Sequence, residues 1–464
     1  MRPAYDAAEI RAAEQPLLDM LPSGTLMARA ATALAVRCAA LLGRTYGARV
    51  VLLVGGGNNG GDALLAGSQL ARRGARVDVV RVSDETYDEE LLRAADLVVD
   101  GMVGVGATGP LRPDAARLAE IVNDCNGIVV AVDVPSGVDA STGEVAGVAV
   151  RADVTVTFGA LKPGLLVSPG ADYAGVVDVV DIGLSLPAAR VAAFDADDVA
   201  ALLPWPEANS DKYSRGVVGV VAGSERYTGA AVLCVGGALH AGAGMVRYAG
   251  VKAAADEVRR HWPEALVTAT DDVLSVGRVQ SWVVGSGLGT GAEAAAVVRA
   301  VLGTDVPVVV DADALSVIAA EPSLVANRGA PTLVTPHAGE FARLVGADRA
   351  EVEARRLRSA QEAAQRFGAT VLLKGSTTVI ADPSGQTRVN TAQTPYLATA
   401  GSGDVLAGVC GTLLAAGLPA LDAGAVAAFL HGLAAVLAAG DPPAQVTPGD
   451  VSAALPEAVR AVRR

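Results

Sequence analysis

The sequence predicts a doubly wound α/β protein made of two domains, and three observations support this. Short valine-rich runs alternate with alanine-rich segments of helix length along the whole chain. Most of the valine-rich runs are continuously apolar instead of alternating, as in strands buried on both faces of a parallel sheet. Glycine-rich segments follow many of these runs, and the order strand, glycine-rich turn, helix is typical of doubly wound sheets.

Candidate strands fall into two groups. They are 50–54, 77–82, 97–100, 128–133, 154–158 and 176–180, followed by 217–222, 245–248, 282–285, 306–311, 331–335, 370–374 and 378–381. Between the groups, prolines and acidic residues surround one short helical segment at 184–212. We therefore expect domains at residues 1–190 and 191–464, each of a size that folds around its own core.

Composition excludes several classes of protein. A net charge of −13 with no offsetting basic stretch argues against a nucleic-acid partner or an anionic membrane surface. The four cysteines form no CxxC pair and the four histidines show no metal-ligand spacing, so we expect reduced thiols and no zinc site.

The chain is also expected to be cytoplasmic. The first residues carry acidic side chains and no long apolar core, unlike a signal peptide. The one apolar stretch of concern is 405–440, where Pro419 and Asp422 are expected to interrupt any span of about 20 residues. We therefore predict no membrane partner.

Carboxylate, amide and hydroxyl side chains follow three candidate strands of the first domain. Because the carboxyl ends of parallel strands meet at one edge of a sheet, we expect these side chains to share a crevice. They are Asn59, Asp62, Asp100, Asp133 and Ser136. Asp and Ser are also common in turns and caps at strand ends, but similar polar residues at the ends of three strands favour a functional site.

A dinucleotide-binding loop is the first alternative for this crevice. Gly55, Gly57 and Gly60 satisfy GxGxxG, and Asp78 lies at about the spacing of a ribose-binding carboxylate. We expect Asp62 in the first helical turn, where its charge would oppose a pyrophosphate. The Asn58–Asn59 pair instead suits a polar ligand or a monovalent cation.

The motifs GGGNNGGD, VDGMVGVGATG and DVPSGVDASTG resemble the epimerase domain of the bifunctional NAD(P)H-hydrate repair enzymes, across about residues 10–185. The resemblance implies a Rossmann-like fold acting on the hydrated dinucleotides NADHX and NADPHX. It implies K⁺ held by Asn59, Asp100 and Ser136. The substrate contacts that it implies are Asn58, Asn59, Gly60, Gly61, Asp62, Gly104, Val105, Gly106, Ala107, Thr108, Gly109, Pro110 and Asp133. Ala63 departs from the family, which usually has glycine there.

Epimerisation at C6 of the reduced nicotinamide ring needs only proton transfer, through loss of the hydroxyl or through ring opening. Carboxylates perform such transfers when they lie within hydrogen-bond reach. We predict Asp133 as the acid/base of the first domain, with Asp62 as the alternative.

Residues 399–406, with the sequence TAGSGDVL, predict an anion hole in the second domain. The glycines allow consecutive amides to converge, and the apolar run after Asp404 predicts a helix whose positive end lies under the loop. Asp404 adds a base beside the hole. The alternative is a glycine turn capped by an aspartate. In the same way, His337 could be an ordinary loop histidine and the pair Asp311 and Asp313 a helix cap.

The motifs GSERYTGA, GSGLG, DADAL, TPHAGE, KGSTT and LATAGSGDVLAG resemble the ADP-dependent NAD(P)H-hydrate dehydratase domain of the ribokinase-like superfamily, across about residues 191–464. The hydrate contacts that it implies are Ala230, Gly287, His337 and Asp404. The residues expected to bind the adenine nucleotide are Lys374, Gly375, Ser376, Thr377, Thr378, Gly401, Ser402 and Gly403. The resemblance also implies ADP as co-substrate and Mg²⁺. Departures are Ser402 for the usual threonine and Ser286 where proline is common.

The implied mechanism makes the C6 hydroxyl a leaving group. Asp404 takes its proton as it attacks the terminal phosphoryl of the nucleotide, and the amides of Gly401, Ser402 and Gly403 hold the developing charge. The products are NAD(P)H, AMP and phosphate. Whether ADP or ATP is preferred stays open, and we also expect a homo-oligomer.

Two other classes of function remain alternatives. One is a small-molecule kinase of the pyridoxine, hydroxymethylpyrimidine or thiazole type, whose domain also ends in an anion hole with an aspartate. It does not explain the first domain. The other is a regulatory module that senses nucleotide and has lost catalysis, and retention of Asn59, Asp62, Asp100, Asp133 and Ser136 argues against it.

Overall fold

The computed structural model of the chain describes residues 1–84, 87–391 and 394–463. The chain divides into two units, one from Arg2 to Val191 and one that comprises Met1 and the chain from Ala192 onward. The boundary lies within the proline- and acid-rich stretch at 184–212. Each unit has its own sheet and is described by itself.

The first unit contains a six-stranded parallel sheet with the order β3-β2-β4-β5-β6-β7. The strands of this sheet are β2 (Arg49–Val54), β3 (Arg76–Arg81), β4 (Leu97–Gly101), β5 (Ile128–Val132), β6 (Val154–Phe158) and β7 (Val176–Val180). The short strand β1 (Arg2–Ala4) precedes them in the chain and is not part of this sheet. Its helices are α1 (Ala7–Met20), α2 (Thr25–Leu42), α3 (Asn58–Arg72), α4 (Glu89–Arg93), α5 (Pro113–Asn123) and α6 (Ala171–Ala174).

Successive side chains of β2 point to opposite faces of the sheet and pack in two different hydrophobic cores. Leu52 packs with Leu34 of α2 and Ala66 of α3 on one face of the sheet. Leu53 packs with Leu118 of α5 on the other face. Since side chains alternate along a strand, β2 must be apolar at every position to fill both cores, which makes this unit a three-layer α/β structure.

The second unit is built on the order β8-β17-β16-β15-β14-β13-β12-β9-β10-β11. Its strands are β8 (Val191–Ala193), β9 (Val217–Val221), β10 (Met245–Gly250), β11 (Leu266–Ala269), β12 (Ser281–Val284), β13 (Val308–Val310), β14 (Thr332–Val334), β15 (Thr370–Leu373), β16 (Thr378–Ala381) and β17 (Thr387–Asn390). Its helices are α7 (Ala196–Leu202), α8 (Thr228–His240), α9 (Lys252–His261), α10 (Ala292–Leu302), α11 (Asp313–Ala320), α12 (Ser323–Ala326), α13 (Ala338–Val345), α14 (Arg349–Ala354), α15 (Arg356–Phe367), α16 (Ser402–Ala415), α17 (Ala420–Ala439) and α18 (Pro448–Val462).

This sheet is also covered on both faces. Val218 and Val220 of β9 pack in a core with residues of α8, α16, α17 and α18, while Val217 and Val221 point the other way and are equally buried. Strands β9 to β15 pair in parallel, but β15, β16 and β17 pair antiparallel. The purely parallel pattern expected from continuous apolar runs is therefore wrong for β16, because a hairpin strand buried on both faces has the same composition.

Two helices of the described residues, α2 and α17, are long and apolar enough to cross a membrane by length and composition alone. The expected break at Pro419 is confirmed, because α16 ends at Ala415 and α17 begins at Ala420, but the expectation that Asp422 would interrupt the second half and keep it short is wrong. Pro419 is the N-cap of α17 and Asp422 lies in its first turn, so the helix runs 20 residues. Two thirds of its most apolar window, 67%, is buried within the unit, as in the core helix of an α/β sheet.

Candidate active sites

The first candidate site lies where the strand order of the first unit reverses. The chain leaves β2 toward β3 on one side and later returns to β4 on the other, so a crevice opens beyond the carboxyl ends of β2 and β4. Asn59 follows β2, Asp100 is the penultimate residue of β4, and Asp133 follows β5. Ser136 stands in the turn after Asp133.

The structure brings three of the predicted side chains together at this crevice. The Asn59 Nδ2 donates to the carbonyl oxygens of Val132 at 2.6 Å and Val103 at 3.3 Å. The Ser136 hydroxyl donates to Asp100 at 2.7 Å, and the Ser136 amide donates to it at 2.8 Å. These contacts link the ends of β2, β4 and β5 into one polar cluster.

Asp100 is a fully buried carboxylate whose hydrogen-bond donors are neutral. Complete burial raises the pKa of this group, against the hydrogen bonds from Ser136 and the Met102 amide. A buried carboxylate is normally offset by a cation. The oxygens near Asp100 are suited to bind such a cation. They include the carbonyl oxygens of Val103 and Val132, which accept hydrogen bonds from Asn59.

Asp133 is held by a residue that sequence analysis missed. Lys162 is fully buried, and its ammonium donates to Asp133 Oδ1 at 2.5 Å. The same oxygen accepts from the Thr157 hydroxyl and the Phe158 amide, each at 3.0 Å. The sequence does mark this residue, because Lys162 is the only lysine before residue 212 and follows a predicted strand.

Asp62 does not lie in the first turn of α3, as the sequence suggested. The helix begins at Asn58, four residues earlier, so Asp62 lies one turn further along. It is 7% exposed, and its Oδ1 has no hydrogen-bond partner in the described part of the chain. Burial, and then the charges of Asp133 and of Glu14 on α1, raise the pKa of Asp62 to about 7.

The loop Gly104–Pro110 lies beside this crevice. A Cβ on Gly104 would lie 3.0 Å from Asn59 Oδ1, so the loop begins in contact with the cluster. A Cβ on Gly106 would lie 3.4 Å from the guanidinium of Arg11 on α1. The rest of the loop, residues 106–110, is exposed, as is Asn58. Gly60 and Gly61 lie in the first turn of α3, where a Cβ on Gly60 would lie 2.2 Å from the Gly55 carbonyl oxygen.

The second candidate site lies at the reversal between β9 and β12 of the second unit. There Gly401, with a φ of +97°, turns the chain into α16, and Asp404 lies in the first turn of that helix. The Ser402 amide donates to the Thr399 carbonyl at 3.4 Å. Among the described residues this leaves the amides of Gly401 and Gly403 without an acceptor, so the predicted anion hole loses one of its three donors.

Asp404 has the protonation behaviour of a base that works near neutral pH. Burial, followed by the charge of Asp311, raises the pKa of Asp404 to about 7, although Ser286 and Lys374 oppose the shift. The hydroxyl of Ser286 donates to Asp311 Oδ2 at 3.4 Å. A carboxylate titrating near the working pH is suited to proton abstraction.

Lys374 is anchored between carboxylates. Its ammonium donates to Asp311 at 2.8 Å and lies 3.8 Å from Glu340, and a Cβ on Gly403 would lie 3.2 Å from it. Asp311 also accepts from the Thr335 hydroxyl at 2.8 Å. Burial opposes the charge, but Asp311 and Glu340 outweigh it and raise the pKa of Lys374. Asp311 is thus not a helix cap, since the cap of α11 is Ala312 without a side-chain bond.

His337 is the N-cap of α13, where its Nδ1 accepts from the amides of Gly339 at 3.0 Å and Glu340 at 3.2 Å. Burial lowers the pKa of His337, which favours the neutral ring at pH 7, and its Nε2 lies 3.5 Å from Glu340 Oε1. The Lys374 backbone forms a β-bridge with His337. Ala230 lies in the first turn of α8, close to Gly287, where a Cβ would lie 2.8 Å from the Cβ of Ala230.

The predicted phosphate loop Lys374–Thr378 connects two antiparallel strands. Ser376 is exposed, while Thr377 and Thr378 are buried at 6% and 3%. Gly375 is crowded by the buried Arg356, which donates to the Lys374 carbonyl at 3.0 Å. The hydroxyls therefore lie at different depths, and only Ser376 is open to a ligand without a rearrangement.

A pair of glycines fixes the helix that carries Asp404. A Cβ on Gly237 of α8 would lie 2.3 Å from the Val405 carbonyl oxygen, and one on Gly408 of α16 would lie 2.1 Å from that of Cys234. The two helices therefore touch backbone to backbone. Behind them the buried ring of His431, whose pKa burial lowers to about 4, hydrogen-bonds the Ser402 backbone.

Comparison with known proteins places both units in one family. The family described as NAD(P)H-hydrate dehydratase matches residues 218–457, and the family described as YjeF-related protein N-terminus matches residues 23–95 and 80–164. The bifunctional NAD(P)H-hydrate repair enzyme of Mycobacterium leprae is 49% identical over 482 residues, covering 100% of this chain and 99% of that protein. The chain belongs to the bifunctional NAD(P)H-hydrate repair enzymes.

In these repair enzymes an epimerase domain precedes an ADP/ATP-dependent dehydratase domain. The ADP/ATP-dependent NAD(P)H-hydrate dehydratase of Bacillus subtilis, co-crystallised with ATP and Mg²⁺, has a TM-score of 0.54 at 28% identity and covers 59% of this chain and 100% of its own. A ribokinase-like protein of Enterococcus faecalis, at a TM-score of 0.52 and 24% identity, covers 60% of this chain and 98% of its own and shares the fold. The ribokinase-like prediction is confirmed, and the small-molecule kinase alternative is not supported.

Proposed function

We propose that the second unit dehydrates (S)-NAD(P)H-hydrate with ADP, yielding NAD(P)H, AMP and phosphate, and that the first unit interconverts the (R) and (S) epimers. The observation that carries the dehydratase assignment is Asp404, whose pKa burial raises to about 7 in the first turn of α16, above an anchored lysine. A base, a helix N-terminus and a fixed cation are what phosphoryl transfer to a hydroxyl requires.

In the proposed dehydration, Asp404 accepts the proton of the C6 hydroxyl as that oxygen attacks the terminal phosphoryl group. The amides of Gly401 and Gly403, together with the Lys374 ammonium, stabilise the charge on the transferring group. The neutral His337 ring is positioned to orient the hydrate through Nε2. The ring nitrogen of the substrate then expels phosphate, which leaves an N1=C6 iminium ion, and loss of a C5 proton to water forms the C5=C6 double bond of the reduced nicotinamide.

Magnesium is proposed to enter with the nucleotide. The described residues contain no group of three or more His, Cys, Asp and Glu side chains that would form a protein-only metal site. That fits Mg²⁺, which is usually held by substrate phosphates, water and one or two carboxylates. Its chemistry would be to neutralise phosphate charge, and the ATP/Mg²⁺ in the Bacillus subtilis dehydratase supports this.

A product assay tests the dehydratase proposal. Purified protein with (S)-NADH-hydrate and ADP is expected to regain absorbance at the reduced-nicotinamide band while AMP and phosphate appear in equal amounts. The matched reaction with ATP measures which nucleotide is preferred. Phosphorylation of a vitamin precursor without loss of hydrate would contradict the proposal and favour a small-molecule kinase.

In the first unit we propose epimerisation by ring opening, which needs one base and one acid. Asp133, ion-paired with Lys162, is the base that removes the C6 hydroxyl proton as the C6–N1 bond breaks. Asp62, whose pKa of about 7 leaves it largely protonated in mildly acidic solution, donates a proton to N1. Reclosure on the other ring face reverses both transfers and gives the other epimer. Two carboxylates in different environments suit such a division.

Potassium is proposed to bind beside Asp100, Ser136 and Asn59. The fully buried Asp100 with neutral donors, and the carbonyls of Val103 and Val132 at the Asn59 amide, form an oxygen-rich cluster suited to a monovalent cation. Rotation of the Asn59 amide would present its oxygen there.

We expect the first unit to unfold at a higher temperature in KCl than in NaCl of equal concentration, because a ligand of the native state stabilises it. Thermal unfolding with and without the Asp100→Asn substitution measures this. Equal transitions in both salts for the unsubstituted protein would contradict the K⁺ site. A cytoplasmic location and a homo-oligomeric state remain predictions of the sequence.

A further inference from the structure

Lys162 uses every proton of its ammonium group inside the protein. The donors go to Asp133 Oδ1 at 2.5 Å, to the Thr157 hydroxyl at 2.9 Å and to the Phe158 carbonyl at 2.9 Å. Its side chain is 1% exposed. Such a lysine has no donor left for a ligand, so any role in the site acts through Asp133.

The two carboxylate oxygens of Asp133 differ in their hydrogen bonding. Three donors converge on Oδ1, from Lys162, Thr157 and Phe158, while no described residue donates to Oδ2. Its backbone has a φ of +68°, a conformation that costs energy for any residue with a Cβ. A strained backbone conformation persists where the surrounding contacts stabilise it. Here the stabilising contacts are the three donors to Oδ1 and the backbone amide of Asp133, which donates to the Val156 carbonyl at 2.8 Å.

We propose that Lys162 is a positioning residue of the epimerase site, which holds the Asp133 side chain with Oδ1 occupied and Oδ2 left for the substrate. The inference rests on the proposed epimerase function. Carboxylate reactivity depends on which oxygen is free and where it points, and the Lys162 contact sets both. Asp62 and Glu14, the other carboxylates that face Asp133, repel its charge and cannot do this.

A purely structural ion pair makes a different prediction from a positioning pair. If the pair serves only folding, replacing both partners by neutral residues of similar size should restore both stability and activity, since a buried pair contributes little net stability relative to apolar groups. If Lys162 positions a catalytic carboxylate, the double replacement restores stability alone. The double variant therefore tests whether Asp133 is the catalytic carboxylate, and folded Lys162→Met tests whether the lysine positions it.

The experiment uses the full-length protein with the substitutions Lys162→Met, Asp133→Asn and both together. Epimerisation is followed without ADP, from pure (S)-NADH-hydrate, by chromatography of the two epimers with the spontaneous rate subtracted. Dehydration with ADP in the same samples reports on the folding of the rest of the chain. Arg117→Met is the matched control, because it removes a cation from an exposed ion pair with Glu89 in the same unit.

We expect each single substitution to lower kcat for epimerisation by about 100-fold, with KM changed less than about threefold. Both should lower the unfolding temperature of the first unit, and the double variant should regain most of it while staying about 100-fold slow. Arg117→Met should keep the rate of the unsubstituted protein. If Lys162→Met does not fold, Lys162→Arg takes its place, because it keeps the positive charge beside Asp133 but changes the donor geometry at Oδ1, and it should also lower kcat.

Recovery of epimerisation in the double variant would overturn the proposal, and so would an undiminished kcat in folded Lys162→Met. Failure of the underlying function looks different. In that case the unsubstituted protein would not interconvert the epimers faster than the spontaneous reaction, whatever the variants do.

Discussion

Asp404→Asn should lower the rate of ADP-dependent dehydration by about 10²- to 10⁴-fold, the usual contribution of a general base. The substitution keeps the shape of the side chain and removes the proton acceptor at the start of α16. Epimerisation should continue at the rate of the unsubstituted protein, because the carboxylates of that reaction lie in the other unit. Measuring both activities on one preparation checks this. Equal loss of both would contradict two separate sites.

The pH dependence of the unsubstituted protein provides a control for the same residue. Since burial raises the pKa of Asp404 to about 7, the base is protonated at pH 5.5 and dehydration should be slow there, rising to a plateau above about pH 8.

The contribution of Asp404 to folding stability should change with pH in the opposite direction to the rate. A raised pKa in the folded state favours the protonated form, so this contribution to stability is present at low pH and is lost as the pH rises through 7. Asp404→Asn should therefore raise the unfolding temperature more at pH 8 than at pH 5.

Asp311→Asn is expected to have the largest effect on stability. It leaves Lys374, whose side chain is 18% exposed, with Glu340 at 3.8 Å as its nearest acidic partner. Breaking a buried ion pair from one side costs about 3–5 kcal/mol of unfolding free energy. The lysine would also lose its fixed place beside Gly403, so the KM for ADP should rise by roughly tenfold. Urea unfolding and nucleotide titration of the rate measure the two effects.

The matched control is Glu321→Gln, which removes the carboxylate from an exposed pair with Arg299 at 2.6 Å. It should change neither the unfolding midpoint nor the KM for ADP, because exposed pairs contribute little. If Asp311→Asn behaves like this control, Lys374 is not anchored through Asp311.

Sequence reasoning located most strands and the residues at their ends. Continuous apolar runs identified β2, β4, β5 and β9 to within one residue, because those strands are buried on both faces and consist almost entirely of apolar residues. The rule that parallel strands end at one edge of a sheet predicts that Asp100, Ser136 and Asn59 lie together, and the structure shows them in one polar cluster.

Other features could not be found in the same way. The edge strand β11 (Leu266–Ala269) is mostly exposed and β17 (Thr387–Asn390) carries polar residues, so neither gives an apolar signal. The start of α3 at Asn58 was missed because glycine and asparagine favour turns as readily as a helical first turn. Lys162 was missed because a lone lysine after a strand is usually solvated, and only its three buried acceptors show otherwise.

The backbone contact between α8 and α16 has a consequence for how this enzyme can change. Ala230 lies in the first turn of α8 and Asp404 in the first turn of α16, and Gly237 and Gly408 allow no side chain between the two helices. The proton acceptor and one wall of its pocket thus form a single rigid body. Laboratory evolution toward altered hydrates should accumulate its substitutions in the surrounding loops, and alanine at either glycine should inactivate the dehydratase from a distance.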